Sequence, residues 1–249
     1  DIARYGKFAS NKDYIKQTTG QFYSRRFVMS YPNEQLPAGR DIKRTGVYDA
    51  QKSAGAIFGN SWGLEVPLMF GSKNFVEEPS LRRSNAFDFV KKEHLAVRED
   101  VGILDSSGFS RFEIRGKGAT QWLNQLFSTD LPNQNKVKLA VMLGHDGRLK
   151  GDLTCFNWGE DHYWVMGSYY LREWHLRWFH DHLPGGKKSL ETDGEVFLTD
   201  ISDNIGGYAV SGPNARALLQ KLTDQDITND NFRFMSCKEI DIGLIRAKV

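Results

Sequence analysis

An α+β fold is predicted, and three observations predict it. Strand and helix patterns alternate regularly from about residue 109 onward, apolar residues alternate without a break in mid-chain, and one strand-turn-helix unit occurs twice. The alternation is Val137, Leu139, Val141, Leu143, the period of a half-buried strand. The duplicated unit is Phe112, Ile114, Gly116, Ala119, Trp122, Leu123 and Leu126. These recur as Tyr208, Val210, Gly212, Ala215, Leu218, Leu219 and Leu222, each displaced by 96 positions.

The elements follow in order. Tyr14, Thr18, Phe22 and Arg25 recur at helical spacing behind Asn11, a capping residue, so residues 11–27 form a helix that ends at Tyr31-Pro32-Asn33-Glu34. Val47, Tyr48, Gln51 and Ala54 form a short second helix stopped by Gly55, and Ala56-Ile57-Phe58 is a strand leading into glycine-rich turns. Residues 71–84 are loop-like. A helix over residues 87–100 shows Val90, His94, Val97 and Val101 on one face. Beyond it lie a strand at 109–115, a Gly116-Lys117-Gly118 turn and a helix with Trp122, Leu123, Leu126 and Phe127. The strand at 137–143 turns at His145-Asp146-Gly147 into a return strand at 148–156. Leu149, Leu153 and Cys155 share one of its faces, and Asp152, Thr154 and Phe156 the other. A strand at 163–167, a helix with Leu171, Trp174 and Trp178, and a strand at 196–199 complete the order β-α-β-β-β-α-β, a ferredoxin-like unit with one added strand.

The organisation expected is a connecting domain over residues 1–75 and a second domain over 76–249. The second domain would hold one unit and a truncated second copy, in which Pro213 serves as a first helical residue. A full second copy would extend well past Val249, so Ile245, Ala247 and Val249 are expected to begin a strand whose partners are absent.

Composition narrows the chemistry. With 33 basic against 31 acidic residues, the net charge of +2 gives no reason for a nucleic-acid or membrane partner, and no apolar run is long enough to cross a membrane. Two cysteines, Cys155 and Cys237, rule out a disulfide framework or a Cys-x-x-Cys zinc site. His175, His180 and His182 fall on different faces of one helix region and cannot close on a single metal. Trp174 and Trp178, one helical turn apart, read as core. Gly59-Asn60-Ser61-Trp62-Gly63 matches the nucleophile elbow in letters, but Pro67 denies it the following helix, leaving a plain turn. Gly116-x-Gly118 lacks the third glycine of a dinucleotide loop.

Asp152 stands out. A carboxylate among apolar residues in mid-strand must be paired, hydrogen-bonded or turned toward a cavity or solvent. One reading pairs it with Lys150 or Lys138; the other makes it an anion that orients a proton or a cationic centre beside a ligand.

Gly147-Arg148-Leu149-Lys150-Gly151-Asp152-Leu153-Thr154, with Val141-Met142-Leu143 before it, resembles the folate-site strand of the glycine-cleavage T-protein (aminomethyltransferase) family. Residues 98–107 and the Gly212-Pro213 repeat resemble that family too. Tyr23-Ser24-Arg25-Arg26-Phe27, Tyr31-Pro32-Asn33-Glu34, Ala54-Gly55-Ala56-Ile57-Phe58-Gly59 and Arg83-Ser84-Asn85-Ala86-Phe87 are similar to the connecting region of dimethylglycine and sarcosine dehydrogenases. The resemblance covers nearly the whole chain. It implies an intact protein in which FAD, in an N-terminal domain absent from this chain, oxidises an N-methyl group of an N-methylated amine. Tetrahydrofolate in the second domain then captures the one-carbon unit. By position, it makes Asp152 the catalytic aspartate, with Met142, Thr154 and the Gly167 backbone lining the folate pocket. It places the protein in the cytoplasm of a bacterium or the mitochondrial matrix of a eukaryote.

Two departures qualify the resemblance. Gly151 stands where stand-alone transferases often carry a second aspartate, which favours the flavin-linked branch. The family's Gly-Tyr-Thr-Gly-Glu segment and its flavin fingerprint are not in the chain, so the expectation is a fragment that alone neither oxidises an amine nor binds folate tightly. The alternatives are a flavin-free folate-dependent methyl or aminomethyl transferase and a non-catalytic folate-binding module.

Overall fold

The computed structural model describes residues 11–184 and 195–249. Its contacts divide the chain into two units, Asp1–Gly108 with Gly206–Pro213, and Phe109–Ile205 with Asn214–Val249.

In the first unit, the Asn11 side chain accepts a hydrogen bond from the Tyr14 amide at 2.9 Å and so caps helix α1, Lys12–Ser24. Helix α2, Tyr48–Ser53, ends at Gly55, whose φ of +94° no side chain would tolerate well. Strands β1, Ala56–Ser61, and β2, Leu64–Phe70, form an antiparallel hairpin. Trp62 and Gly63 both have positive φ, as a two-residue hairpin loop requires, so the elbow-like Gly-x-Ser-x-Gly is a turn. Buried Glu65 on β2 accepts hydrogen bonds from Arg40 and from the Asp41 amide. Burial alone would raise this carboxyl, but those donors hold it below its ordinary range. Helix α3, Phe87–Glu99, is followed by β3, Gly102–Asp105, which pairs antiparallel with β9, Tyr208–Ser211.

The second unit is built on a five-stranded sheet. Its strands are β4 (Phe109–Arg115), β5 (Val137–Leu143), β6 (Leu149–Gly159), β7 (His162–Ser168) and β8 (Phe197–Asp200). They lie in the order β5-β6-β7-β4-β8 with every neighbouring pair antiparallel. Helix α4, Ala119–Leu126, links β4 to β5, and α5, Arg172–Asp181, follows β7 after a single 3-10 turn at Tyr169–Leu171. Strands β7 and β8 run parallel with β4 between them, a split β-α-β crossover. By contrast β4 and β5 run in opposite directions, because the added strand changes the sense of the first crossover. Both helices pack on one face, where Phe112, Ile114, Trp122, Leu123, Met142, Leu153, Val165 and Phe179 form the core. Phe179 meets Phe112 and Trp122 edge to face, and the Trp122 indole donates to the His182 carbonyl. Helix α6, Ala215–Gln220, and the hairpin of β10, Glu239–Ile242, with β11, Ile245–Lys248, complete the unit.

The β-α-β-β-β-α-β order is present as expected, and several details differ. Strands β2 and β3 were not expected: Pro67 sits at the point where the β1 register shifts, and β3 is only four residues long. Helix α3 forms, but none of its residues is buried, Val97 remaining 38 % exposed. Leu149 is exposed instead of sharing a face with Leu153 and Cys155, because the pairing shifts register between Met142 and Leu143. Trp174 is exposed and donates to the Lys150 carbonyl, whereas Trp178 packs against the core. Pro213 precedes the helix, which begins at Ala215 after Asn214. The strand beginning at Ile245 has its partner within the chain, in β10.

Candidate functional site

The helices cover one face of the five-stranded sheet, and the alternation of β6 sends every second side chain to the other. Asp152 and Thr154 share that second face. Across from them, Val141 and Leu139 lie on β5 and Met166 lies opposite Thr154 on β7. Asp152 is exposed and makes no hydrogen bond or ion pair among the described residues. Neither candidate lysine pairs with it: Lys138 reaches the Asp130 carbonyl, and Lys150 lies over the Trp178 ring. The cross-strand neighbour of Asp152, Val141, and the adjacent Leu139, 55 % exposed, are apolar.

Toward the other end of β6 the same face carries aromatics. Phe156 stacks on Trp158, Trp158 meets Trp164 edge to face, and Lys248 from β11 lies over both indoles at 4.1 and 5.1 Å from the ring centres. This cation reaches from the hairpin to the sheet.

Met142 and Gly167, the other two residues expected in the pocket, face the helices. Met142 is fully buried opposite Gly151, and Gly167 of β7 lies against the core. The sheet therefore divides the four residues, two to each face.

Between Gly151 and Gly167 sits a residue that the sequence analysis considered only as a metal ligand, and set aside as one. His175 on α5 is 1 % exposed. A Cβ on Gly151 would lie 2.8 Å from its Nε2, and one on Gly167 3.3 Å from its Nδ1, so the ring occupies space that only two glycines on neighbouring strands leave open. Neither ring nitrogen makes a well-formed hydrogen bond with a described residue. Burial pushes the imidazole below its ordinary value, against the opposing pull of the Asp152 carboxylate and the Lys150 backbone. The signal in the sequence was the pair of glycines in two strands that pair with each other, not the histidine.

The two cysteines are free and buried, and burial pushes the Cys155 thiol up to about 12, far from thiolate chemistry at neutral pH. No group of three or more metal-ligating side chains occurs among the described residues. No helix among them is long and apolar enough to cross a membrane.

Comparison with known proteins adds a family. The model of the GCVT N-terminal domain matches residues 47–249, and that of the FAD dependent oxidoreductase central domain matches residues 1–45. The chain is 31 % identical to mitochondrial dimethylglycine dehydrogenase of Mus musculus over 98 % of its own length and 27 % of that protein's. It is 26 % identical to 4-methylaminobutanoate oxidase (formaldehyde-forming) of Paenarthrobacter nicotinovorans, again over 98 % of the chain and 29 % of the relative. The chain thus spans little more than a quarter of these relatives. Among solved structures, the glycine cleavage system aminomethyltransferase T of Bartonella henselae shares the fold, with a TM-score of 0.62 at 19 % identity, covering 80 % of this chain and 48 % of that one.

Proposed function

The chain belongs to the GCVT N-terminal domain family, and from that premise we propose that the sheet face carrying Asp152 and Thr154 is the folate-contacting surface of a FAD- and tetrahydrofolate-dependent demethylase of N-methylated glycines. Asp152 supports this most: a mid-strand carboxylate with no hydrogen bond or ion pair among the described residues, set beside the apolar Val141 and Leu139 of the neighbouring strand. A solvent-exposed anion there is open to a ligand brought against the strand.

The residues present fit a flat, partly polar group. Leu139, Val141 and Met166 offer apolar strand surface, Thr154 a hydroxyl and Asp152 an anionic acceptor. Tetrahydrofolate, when bound, supplies the nucleophilic nitrogen that takes up the one-carbon unit. Asp152 accepts a hydrogen bond from an N–H brought against it, and its charge favours a cationic carbon centre over a neutral one. Thr154, two residues along the same face, fixes the orientation of that group. Met142 acts from the core side by setting the position of β5. Gly167 lets β7 pass His175 without a side chain in the way. The match of residues 1–45 to the central domain of FAD dependent oxidoreductases supports the flavin part of this reading.

The test is made in a polypeptide long enough to hold both cofactors. Asp152→Ala is expected to leave amine oxidation in place and to slow methylenetetrahydrofolate formation about a hundredfold, with free formaldehyde accumulating instead. One-carbon capture at the unmodified rate would sink the proposal.

A further inference from the structure

Glu113 is a second carboxylate in mid-strand, on β4, and it faces the same side of the sheet as Asp152 two strands away. Trp164 of β7 stands opposite it on one side and Thr199 of β8 on the other. Its two oxygens are used very differently. Oε1 accepts from the Trp164 indole at 3.0 Å and from Arg115 Nη2 at 2.6 Å, and it lies 2.9 Å from His162 Nε2. Burial works to raise the Glu113 carboxyl, but these donors outweigh it and keep the group anionic, so the His162 Nε2 carries the hydrogen. Every hydrogen bond and ion pair of Glu113 with a described residue uses Oε1, which leaves Oε2 open.

Next to Glu113 is a hollow of about 470 Å³ lined by Glu113, Arg115, Gly116, Phe197 and Thr199. Arg115 spends only Nη2 on Glu113, its side chain is 57 % exposed, and its remaining N–H groups have no partner among the described residues. Phe197 presents a ring that is 54 % exposed, and Thr199 an exposed hydroxyl. The hollow thus combines a fixed anionic acceptor, free guanidinium donors and an apolar wall within five residues of two paired strands.

A lone cation entering here would meet the guanidinium, and a lone anion the carboxylate. Only a molecule with both charges a few ångströms apart answers both. We propose that this hollow is a binding site for a small zwitterionic amino acid, its ammonium group on Glu113 Oε2, its carboxylate on the free donors of Arg115 and its side chain against Phe197. The volume lies within the ordinary range for small-ligand sites. Because the groups are partly solvated, a dissociation constant of about 1 mM is expected. The site shares no residue with the face around Asp152 and does not depend on the folate proposal.

The 249-residue chain, labelled with ¹⁵N, is titrated with glycine, L-leucine, acetate and methylammonium. Saturable shifts at the Phe197 and Thr199 amides and the Trp164 indole are expected with the two amino acids only. Glu113→Gln and Arg115→Gln should each weaken binding about tenfold, while Asp152→Asn leaves it unchanged, which separates this site from the folate face. Arg115→Gln is a surface change, so an unaltered thermal midpoint in that variant reports that the fold is intact. Equal response to acetate or to methylammonium, absence of saturation up to about 50 mM, or indifference to both variants would each overturn the proposal.

Discussion

Burial strips water from both nitrogens of His175 without replacing it by a well-formed hydrogen bond, and this has a consequence that depends on pH. The unfolded chain takes up a proton near the ordinary histidine value of 6.5, whereas the folded chain resists protonation down to a lower pH. Between those two values the unfolded state binds more protons, so stability falls as the solution is acidified. The contribution of this residue is fully present above about pH 6.5 and is lost as the pH drops through the folded value. Thermal unfolding of the wild type is therefore expected to shift downward on acidification below that point. His175→Phe should flatten that part of the profile; an unchanged slope would mean that another group titrates. Asp152 was legible in the sequence because a charge in an apolar strand is conspicuous on its own. His175 and Glu113 were not, since each owes its character to neighbours brought in by strand pairing: Gly151 and Gly167 for one, Trp164, His162 and Arg115 for the other.

Among the elements, those with strong periodicity were read well. Strand β4 and strand β5 appear at the bounds expected from their alternation, and α1 starts behind its asparagine cap. The elements missed carry weak local signals. Strand β2 contains a proline, β3 has four residues, and the pairing of β3 with β9 joins segments with no pattern in common. The repeat was correctly seen as strand, glycine and helix, and Gly116 and Gly212 both adopt positive φ, at +111° and +123°. Their strands nonetheless end in different surroundings. Strand β4 is paired on both edges, by β7 and β8, whereas β9 pairs with β3. Gly212 also approaches backbone closely, a Cβ there lying 2.3 Å from the Asp100 carbonyl oxygen. Gly212→Ala should therefore cost at least about 2 kcal/mol, from strain at positive φ and the clash together. Denaturant unfolding measures it, and a loss below about 0.5 kcal/mol would show that the turn relaxes.

For the whole molecule, the sequence marked a loop over residues 71–84, and the structure has loop there, but contacts divide the chain after Gly108 and again around residues 206–213. Composition registers local texture, while a unit boundary depends on which distant segments pair. The two units have separate buried residues, Tyr48, Leu64 and Met69 in one and the Phe112–Phe179 cluster in the other. Calorimetry is therefore expected to resolve two transitions, the smaller from the first unit. One transition with equal calorimetric and van't Hoff enthalpies would count against independent unfolding. The pairing of β3 with β9 also bears on how such a chain is made. Ser107 and Gly207 exchange hydrogen bonds although they are 100 residues apart. A ribosome adding roughly 5–20 residues per second would release β3 about 5–20 s before its partner exists. Throughout that interval the nascent strand, with Ile103 and Leu104 outward, has an unpaired edge, and the first unit closes only after the entire five-stranded sheet has been translated.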